Sequence, residues 1–502
     1  MTGGSVYRSG RLRTCPDRFN AAAYCLSADV DPAAEAFLAV DPERGVVARW
    51  TFADLKDRVL RAAGAFRAAS VAPGDRVVLC LGDVPAFPVA YFGAIAAGSV
   101  ATPLSSQLSE EETARIIASV APRAVVGGAF ATMTAEDLMA GAPSEIVPRA
   151  ADDPALLVFT SGSSGRPKGV LHAQRAFWAR QSMHRGWHDI RAGDRVMHAG
   201  AFNWTFTLGV GLADTWSVGG TAILNAGRRD PEVWPMLARA FEPTIFAGAP
   251  AVFRRILKYG TDLDAGFQSL RHAVTAGEAL SPVIGEAWRA ATGKPLLEAL
   301  GMSEVSTFVS TAPDHLPEPG IAGWPQPGRH VAVLGEDACP TPFGEAGVLA
   351  VHRTDPGLML RYWQDAAATE AACVGYWFLT GDRVRMRADG AITYLGRVDD
   401  QMNAQGYRVD PSEVEAALQG CCGVSECGVR ALEVSDGLSV IGAWIVPEAG
   451  AALDKHVILD ALSSRLADYK RPREVFLTTE LPRTGNGKLV RRSLSVEGAR
   501  RI

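Results

Sequence analysis

Short, fully apolar strands alternate with helices along much of this chain, and this alternation constrains its fold more than any other feature. Apolar residues at helical spacing predict a helix over 53–69, a Pro-Gly-Asp turn follows at 73–75, and 77–81 is typical of a buried strand. The same pattern recurs at four later apolar strands, 195–197, 221–224, 244–247 and 272–275. Strands that alternate with helices in this way favour an α/β fold, with mostly parallel sheets that are flanked by helices.

The pattern changes beyond Gly328. Short alternating strands separated by turns, such as 331–334 and 347–351, predict a small β-barrel-like part. Near the end, the chain alternates helix, strand and helix over 411–419, 438–446 and 456–469. That last stretch is long enough for a small α+β domain of its own.

The length also requires more than one domain, because 502 residues are too many for a single hydrophobic core. We place the division where the alternating strands give way to the last segment. The expected organisation is a large N-terminal domain over 1–396, a hinge over 397–400 and a small C-terminal domain over 401–502.

The composition excludes several classes of protein. A hydrophobic fraction of 48% and a charged fraction of 21% are those of a globular protein, and a net charge of -5 predicts no nucleic-acid partner. No apolar run approaches the length of a membrane span, and the first residues lack the apolar core of a secretory signal. Eight cysteines without a Cys-x-x-Cys pair are typical of reduced thiols, so we expect a cytoplasmic protein.

A dense cluster of small, hydroxylated and basic residues follows the apolar run at 156–159. Its sequence from Thr160 to Val170 is TSGSSGRPKGV, which offers backbone N–H groups, hydroxyls and one ammonium to a polyphosphate. It is not a Walker A loop, because its glycines are too close together and no hydroxyl follows Lys168. A flexible surface loop is the alternative, and the apolar residues on both sides disfavour it.

This segment resembles the phosphate-binding signature of the adenylate-forming superfamily, which includes acyl-CoA synthetases, adenylation domains and firefly-type luciferases. Five further motifs of that superfamily follow in the expected order: AGEALS at 276–281, LGMSE at 300–304, YWFLTGD at 376–382, GRVDDQ through GYR at 396–408, and LPRTGNGK at 481–488. The resemblance implies a large N-terminal domain, a small mobile C-terminal domain, and the use of ATP, Mg²⁺ and coenzyme A.

The resemblance also implies roles for residues of the nucleotide site. Glu304 would bind Mg²⁺, Ser303 would hydrogen-bond the α-phosphate, and Asp382 would accept hydrogen bonds from the ribose hydroxyls with support from Arg397. The polyphosphate would be bound by Thr160, Ser161, Gly162, Ser163, Ser164, Gly165 and Lys168. The rest of the nucleotide site would be formed by Gly277, Glu278, Ala279, Glu298, Ala299, Leu300, Gly301 and Met302. Without the resemblance, Glu304 would be a solvated surface charge and Asp382 part of a Gly-Asp turn.

In the C-terminal part, the resemblance marks Lys488 as the residue that matters most for rate. Its ammonium would contact both the substrate carboxylate and the α-phosphate and so reduce their repulsion. Asp399 matches the hinge position, Gly406 would border the pantetheine tunnel, and Arg408 would meet phosphate in one of two domain states. Bacterial relatives are silenced by acetylation of the lysine that matches Lys488, so regulatory acetylation is a candidate here, as is a homodimer.

The acid would bind among Phe202, Asn203, Trp204, Ala276 and Gly301. An uncharged Asn203 argues against an α-amino acid; it either bonds an ortho substituent of an aryl acid or caps the following helix. Gly301 stands where acetyl-CoA synthetases have a tryptophan and should leave room for a flat aromatic or medium acyl group. The aromatic residues are equally compatible with a simple core.

The sequence also leaves open which thiol accepts the acyl group. CoA is favoured, because the two expected domains account for the chain and leave no carrier or condensation domain. A stand-alone enzyme that loads a separate carrier protein is the main alternative, followed by a luciferase-like oxygenase and a non-enzymatic binding protein. A kinase or Walker-type ATPase is disfavoured because its loop is absent.

Overall fold

The structure is a computed structural model that describes residues 4–8, 10, 13–160, 168–398, 402–404, 407–409, 411–435, 438–463, 465–466, 468–484, 487 and 489–502. Over these residues, no helix has both the length and the apolar character that crossing a membrane requires.

The strands are given in chain order. They are β1 Val6–Arg8, β2 Glu35–Asp41, β3 Gly45–Thr51, β4 Arg76–Leu79, β5 Val100–Pro103, β6 Ala124–Val126, β7 Pro154–Thr160, β8 Lys168–Ala173, β9 Arg195–His198, β10 Thr221–Asn225, β11 Ile245–Gly248, β12 His272–Ala276, β13 Leu296–Met302, β14 Ser306–Ser310, β15 Trp324–Pro325, β16 His330–Leu334, β17 Ala346–His352, β18 Arg361–Tyr362, β19 Cys373–Val374, β20 Trp377–Met386, β21 Ile392–Arg397, β22 Met402–Ala404, β23 Tyr407–Val409, β24 Val424–Ser435, β25 Leu438–Pro447, β26 Glu474–Leu477 and β27 Arg500–Arg501.

The α-helices are α1 Ala21–Cys25, α2 Phe52–Ala68, α3 Ala86–Ala96, α4 Glu110–Val120, α5 Ala135–Ala140, α6 Arg175–Ala179, α7 Gln181–Gly186, α8 Thr215–Ser217, α9 Val233–Phe241, α10 Pro250–Tyr259, α11 Leu263–Gly266, α12 Pro282–Thr292, α13 Ala366–Ala371, α14 Pro411–Gln419 and α15 Lys455–Ser463. A π-helix covers Thr207–Asp214, and 3₁₀ helices cover Asp468–Lys470 and Arg491–Ser493.

Two large sheets form most of the N-terminal domain. One has nine strands in the order β15-β14-β13-β12-β11-β9-β10-β2-β3, and the other has six in the order β18-β8-β7-β5-β4-β6. The central pairs of both sheets are parallel. Antiparallel strands stand at both edges of the nine-stranded sheet and at the β18–β8 edge of the six-stranded one, whose other edge strand, β6, is parallel to β4. Every residue of β5 and of β10–β12 is buried, as strands covered by helices on both faces must be.

Local sequence signals set the helix boundaries. Thr51 caps α2 in a capping box with Asp54, and Ser109 does the same for α4 with Glu112. Leu55, Val59, Ala62, Ala63 and Phe66 of α2 are buried, which is the face that the helical spacing predicted.

A third sheet and a separate C-terminal unit complete the chain. The third sheet is antiparallel, with six strands in the order β1-β16-β17-β20-β19 and β21 on β20. Pairings between described residues leave it open, where the sequence suggested a barrel-like part. The C-terminal unit packs α14 and α15 on a sheet in the order β24-β25-β26-β27 and encloses a hydrophobic cluster of its own. The α/β class of the large domain and the α+β class of the small one are confirmed.

Candidate active site

A hairpin carries the predicted phosphate loop. Strands β7 and β8 are antiparallel, and their register places Thr160 directly opposite Lys168. The hydroxyl of Thr160 donates to the carbonyl of Lys168 at 3.5 Å. The loop between these two residues carries Ser161, Gly162, Ser163, Ser164 and Gly165, which lie outside the described residues.

One tyrosine joins the two charged groups of the predicted phosphate site. The Lys168 Nζ lies 4.9 Å from the centre of the Tyr362 ring, within the range of a cation–π contact. The hydroxyl of Tyr362 donates to Glu304 Oε1 at 2.7 Å. Burial and the charge of Glu304 raise the pKa of Tyr362 well above its ordinary value, so this hydroxyl keeps its proton. Lys168 and Glu304, far apart in sequence, are therefore brought to one place.

His172 forms a hydrogen bond with the backbone of Ser303. The Nε2 of His172 lies 2.6 Å from the carbonyl oxygen of Ser303, and because a carbonyl only accepts, Nε2 is the donor. Burial lowers the pKa of His172 to about 4, so the ring is neutral at physiological pH and Nδ1 is left as an acceptor.

The predicted ribose pair is formed by two neighbouring strands. Asp382 on β20 stands opposite Arg397 on β21, and Arg397 Nη1 lies 3.4 Å from Asp382 Oδ1 and 2.8 Å from the carbonyl of Thr380. Between them, Gly381 has a φ of +73°, and a Cβ there would lie 2.7 Å from the Arg397 guanidinium. A glycine is therefore required for the guanidinium to lie across the turn.

The turn after β12 contains Gly277, Glu278 and Ala279. Gly277 has a φ of +102°, and a Cβ on it would lie 2.6 Å from the Trp204 ring, so the indole packs directly on this glycine. Glu278 Oε1 accepts the backbone N–H of Ala251 at 3.1 Å, in the first turn of α10.

Glu298 lies on β13 beside that turn. Its Oε1 accepts the backbone N–H of Leu280 at 2.7 Å. Burial raises the pKa of Glu298 to about 8, so the carboxyl is mostly protonated at neutral pH. The neighbouring Ala299 is buried, and Leu300 and Met302 pack against the core.

A cavity adjoins Ser303. It contains about 410 Å³ of empty space, counting its open mouth. Its walls include Ser303, Ser306, Thr205, His172, Arg180 and Tyr91. The hydroxyl of Tyr91 and Nδ1 of His172 are buried here without a hydrogen-bond partner among the described residues. Such groups are normally paired, so this cavity is suited to a ligand with polar atoms.

The five predicted pocket residues do not line this cavity, and their role in binding stays a prediction. Phe202 is buried and stacks on Phe87, with ring centres 5.0 Å apart. Ala276 is buried as well. A Cβ on Gly301 would lie 2.6 Å from the carbonyl oxygen of Ser306, so this glycine faces the neighbouring strand and adds no open space.

Asn203 and Trp204 precede the helical segment that begins at Thr205. Trp204 meets Phe206 edge to face, with ring centres 5.0 Å apart. Among the hydrogen bonds of the described residues, none runs from the Asn203 side chain to the start of this helix, so neither interpretation of Asn203 is decided.

Behind the cavity lies a buried ionic network that the sequence does not signal. Arg180 donates to both oxygens of Asp214, from Nε at 2.7 Å and from Nη2 at 2.6 Å, and its Nη1 donates to Ser306 Oγ at 2.6 Å. His188 Nε2 lies 3.2 Å from Asp214 Oδ2. Burial alone would raise the pKa of Asp214, but Arg180 and His188 together hold it below its ordinary value.

His184, His188 and Asp214 also have ligand atoms within 4.8 Å of one another, close enough for a metal ion. The guanidinium of Arg180 already donates to both carboxylate oxygens of Asp214. Its positive charge would repel a metal ion bound at the same place. We therefore interpret the cluster as an internal ion pair that shapes the cavity.

The comparison with known families decides the identity of the fold. The model of the AMP-binding enzyme family matches residues 27–363, and that of the AMP-binding enzyme C-terminal domain matches residues 413–488. The chain belongs to the AMP-binding enzyme family. The resemblance to the adenylate-forming superfamily that the motifs indicated is thereby confirmed.

Individual relatives of this AMP-binding enzyme act on aromatic acids. The 3-hydroxybenzoate–CoA ligase of Aromatoleum sp. (strain CIB) is 29% identical over 88% of this chain and 90% of that protein. The 3-hydroxybenzoate–CoA/4-hydroxybenzoate–CoA ligase of Thauera aromatica is 31% identical over 88% of this chain and 90% of its own length. A solved benzoate CoA ligase from Burkholderia xenovorans LB400 superposes with a TM-score of 0.84 at 28% identity, over 94% of this chain and 99% of that one.

Several predicted residues of the C-terminal part of this AMP-binding enzyme cannot be placed. Lys488, Asp399 and Gly406 lie outside the described residues. Arg408 belongs to β23, but its side chain is not described. Their roles stay predictions, as do the domain boundaries.

Proposed function

We propose that this chain is an ATP-dependent, AMP-forming acid–CoA ligase whose acid is aromatic. The observation that carries the proposal is the placement of Lys168 and Glu304 at the ring face and the hydroxyl of one tyrosine, next to Ser303. A cation and an anion arranged in this way suit a magnesium–polyphosphate complex. The relatives named above, which are aromatic acid–CoA ligases, support the choice of acid and of acceptor.

In the first half-reaction, a carboxylate oxygen of the acid attacks the α-phosphorus of ATP. The bond from that phosphorus to the bridging oxygen breaks, and pyrophosphate leaves with the electron pair. Two anions must approach each other, so the contribution of the protein is positioning and charge neutralisation. Ser303 would donate to the α-phosphate, Lys168 would neutralise the leaving pyrophosphate, and Asp382 would hold the ribose.

Glu304 has the donor chemistry that Mg²⁺ prefers. Its carboxylate is partly buried and accepts one hydrogen bond from Tyr362 at Oε1, which orients it. Mg²⁺ supplies neutralisation of the phosphate charge when it is bound. Tyr362 would fix the direction of the carboxylate through this hydrogen bond.

In the second half-reaction, the thiol sulfur of CoA attacks the carbonyl carbon of the acyl-adenylate. AMP leaves with the former carboxylate oxygen, the thioester forms, and the thiol proton is lost to solvent or base. We propose that the C-terminal domain rotates about Asp399 between the two steps, so that one site serves both. A carrier-protein thiol in place of CoA remains the alternative.

Within the aromatic acids, a hydroxybenzoate is the substrate that we expect to be best. The walls of the cavity beside Ser303 include Tyr91 and His172, whose hydroxyl and Nδ1 are buried without a hydrogen-bond partner among the described residues. A ring hydroxyl both donates and accepts, so it can satisfy two such groups, whereas unsubstituted benzoate leaves them unpaired.

A substrate screen tests the proposal. The purified chain is incubated with ATP and Mg²⁺ and with benzoate, 3-hydroxybenzoate, 4-hydroxybenzoate or C2 to C10 aliphatic acids, each with and without CoA. Pyrophosphate, AMP and acyl-CoA are measured. Aromatic acids should give AMP, pyrophosphate and a CoA thioester in equal amounts.

Three other results would contradict parts of this proposal. Acyl-AMP without CoA thioester would favour carrier-protein loading. Formation of ADP would exclude adenylation altogether. Equal rates for hexanoate and 3-hydroxybenzoate would exclude the aromatic preference. A cytoplasmic location, a homodimer and acetylation of Lys488 stay separate predictions for microscopy, sedimentation and mass spectrometry.

A further inference from the structure

Four charged side chains meet where the C-terminal unit touches the large domain. Arg254 on α10 and Glu278 in the turn after β12 belong to the large domain; Glu426 on β24 and Arg483 in the segment after β26 belong to the C-terminal unit. We refer to these four residues as the interdomain cluster. Each domain contributes one cation and one anion, so the docked cluster is neutral.

The four charges alternate around a closed ring. Arg483 Nη2 lies 2.7 Å from Glu426 Oε2, and Arg254 Nη1 lies 3.0 Å from Glu426 Oε1. Arg254 and Arg483 each place a second nitrogen 3.9 Å from an oxygen of Glu278. Every neighbour in the ring therefore has the opposite sign, and the closest pair across the domain boundary is Arg254–Glu426.

Arg483 also contacts the described residues on either side of Lys488 in the sequence. Its Nη1 donates to the carbonyl of Gly487 at 2.6 Å, and residue 483 pairs with Leu489 in an isolated antiparallel bridge. Gly487 in turn approaches α10, because a Cβ on it would lie 3.2 Å from the Cβ of Ala251. The same guanidinium thus contacts both the loop and the interdomain cluster.

The solvent exposure of the cluster suits a contact that forms and breaks. The side chains of Arg254, Glu278, Glu426 and Arg483 are 27%, 20%, 26% and 25% exposed. Burial alone would raise the pKa of Glu426, but Arg483 and Arg254 together hold it below its ordinary value, so Glu426 stays ionised at physiological pH. Water reaches all four groups when the domains separate, so separation leaves no charge buried and unpaired.

We propose that Arg483 is a positioning residue for the first half-reaction, acting through Glu426 and Arg254. In that role, Arg483 and Gly487 dock against the turn at Glu278 and against α10 while the acyl-adenylate forms, which is the step in which the resemblance gives Lys488 its role. The contact is released when the domain rotates for thioester formation. This inference rests on the two half-reactions of the proposed function.

Two assays separate the half-reactions. Acyl-adenylate formation is measured by ATP–pyrophosphate exchange with 3-hydroxybenzoate, or with the best acid of the screen. Thioester formation is measured from synthetic acyl-adenylate and CoA, which bypasses the first step. The variants are Arg483→Ala, Arg483→Lys, Glu426→Gln and Arg254→Ala.

Arg483→Ala should lower exchange by roughly 10- to 100-fold, because small misplacements of a catalytic group have effects of that size. Thioester formation from synthetic adenylate should change by less than about twofold. Arg483→Lys should recover part of the loss, since it restores the charge but not the second hydrogen bond. Glu426→Gln and Arg254→Ala should each lower the exchange rate by a smaller factor than Arg483→Ala does. The factor lost by their double variant should be smaller than the product of the two single factors, because the two residues share one contact.

Arg255→Ala and Arg500→Ala are matched controls. Both remove an exposed arginine, from the same helix as Arg254 and from the last strand of the C-terminal unit, and both should leave exchange unchanged. Circular dichroism melts of all variants show whether they fold.

The outcomes distinguish the inference from the proposed function. If the wild-type chain forms no acyl-adenylate with any acid, the proposed function fails. If the wild type is active but Arg483→Ala keeps full exchange, or loses both half-reactions equally while folded, the positioning role is wrong. If Arg483→Ala does not fold, the double variant decides instead. A loss of exchange rate equal to the product of the losses of Glu426→Gln and Arg254→Ala, all three variants being folded, would also overturn the positioning role.

Discussion

Two ionic networks of this enzyme are built from the same residue types, and they differ in what they join and in how much water reaches them. The pair Arg180–Asp214 lies inside the large domain, with side chains 9% and 2% exposed. The interdomain cluster has side chains about a quarter exposed and crosses a domain boundary. The arginine of the buried pair lines the cavity beside Ser303. The interdomain cluster lies between the large domain and the C-terminal unit.

The difference shows how the same chemistry serves a fixed part and a moving part. A deeply buried pair must stay together, because separating it would leave charges in a medium that does not solvate them. A partly exposed cluster exchanges protein contacts for water when it opens, so its net stability is small and it can break in each cycle. Burial, more than the number of contacts, therefore decides which network can act as a reversible contact.

The largest effect should follow from removing one charge of the buried pair. Asp214→Asn keeps the shape of the side chain but leaves Arg180 uncompensated, which should lower the free energy of unfolding by about 3–5 kcal/mol. Urea denaturation of the purified variant measures this. The control is Asp57→Asn, which breaks the surface pair Arg61–Asp57, 2.7 Å long, and should cost less than about 0.5 kcal/mol. Equal effects of the two substitutions would remove the distinction between the networks.

A smaller loss should come from crowding the same arginine. A Cβ on Gly209 would lie 1.9 Å from Arg180 Nη2, so Gly209→Ala must displace the guanidinium and should cost about 1–3 kcal/mol. The helical Gly285, whose Cβ would meet nothing nearer than 3.5 Å, serves as the control and should tolerate alanine or be stabilised by it. If urea unfolding shows Gly209→Ala to be as stable as Gly285→Ala, the guanidinium of Arg180 is not held in the position described.

Glu298, a partly buried carboxyl without a cationic partner among the described residues, tests the effect of desolvation by itself. No arginine, lysine or histidine of the described residues forms an ion pair with Glu298, whose pKa burial raises to about 8 from an ordinary 4.5. Its contribution to stability is therefore complete below about pH 4.5 and is lost as the pH rises through 8. Glu298→Gln should equal wild type in stability near pH 4.5 and gain on it progressively as the pH rises to 8.5, by up to about 5 kcal/mol, because each unit of pKa difference corresponds to about 1.4 kcal/mol. Parallel stability–pH curves for the two proteins would contradict the raised pKa.

The smallest change in stability should be found at the interdomain cluster. Arg254→Ala should alter the free energy of unfolding by less than about 1 kcal/mol, although it slows adenylation. Raising NaCl from about 0.05 to about 0.5 M should slow wild-type adenylation and affect Arg254→Ala less, because salt screens partly exposed charges. Salt sensitivity that is identical in the two proteins would argue that the cluster does not act electrostatically.

Motifs that are local in sequence were placed well by sequence reasoning. The strand–helix alternation gave the parallel sheets, and Asp382 and Arg397 were found side by side because their strands are neighbours along the chain. The helix expected over 456–469 ends at Ser463 instead. Arg471 donates to the carbonyls of Ser463 and Leu466 and so satisfies the end of the helix from outside.

Contacts between distant segments could not be predicted. Nothing around Tyr362 indicates that its hydroxyl will reach Glu304, and nothing around Glu426 indicates Arg254. Arg180 and Asp214 are each ordinary charged residues by composition, and only the packing of helices around the cavity buries them together. Such pairs depend on tertiary geometry, for which a single sequence carries no periodic signal.

The π-helix Thr207–Asp214 has a consequence for how this site can change over evolutionary time. Its turns hold one residue more than α-helical turns, and the segment supplies both Gly209 to the cavity wall and Asp214 to Arg180. Because the wide turn accommodates an extra residue, deleting one residue here would restore α-helical winding and shift the side chains within the turn, while the segments on both sides keep their places. A lineage that loses a single codon in this stretch would therefore change the wall of the cavity beside Ser303 in one step, with both sheets left where they are.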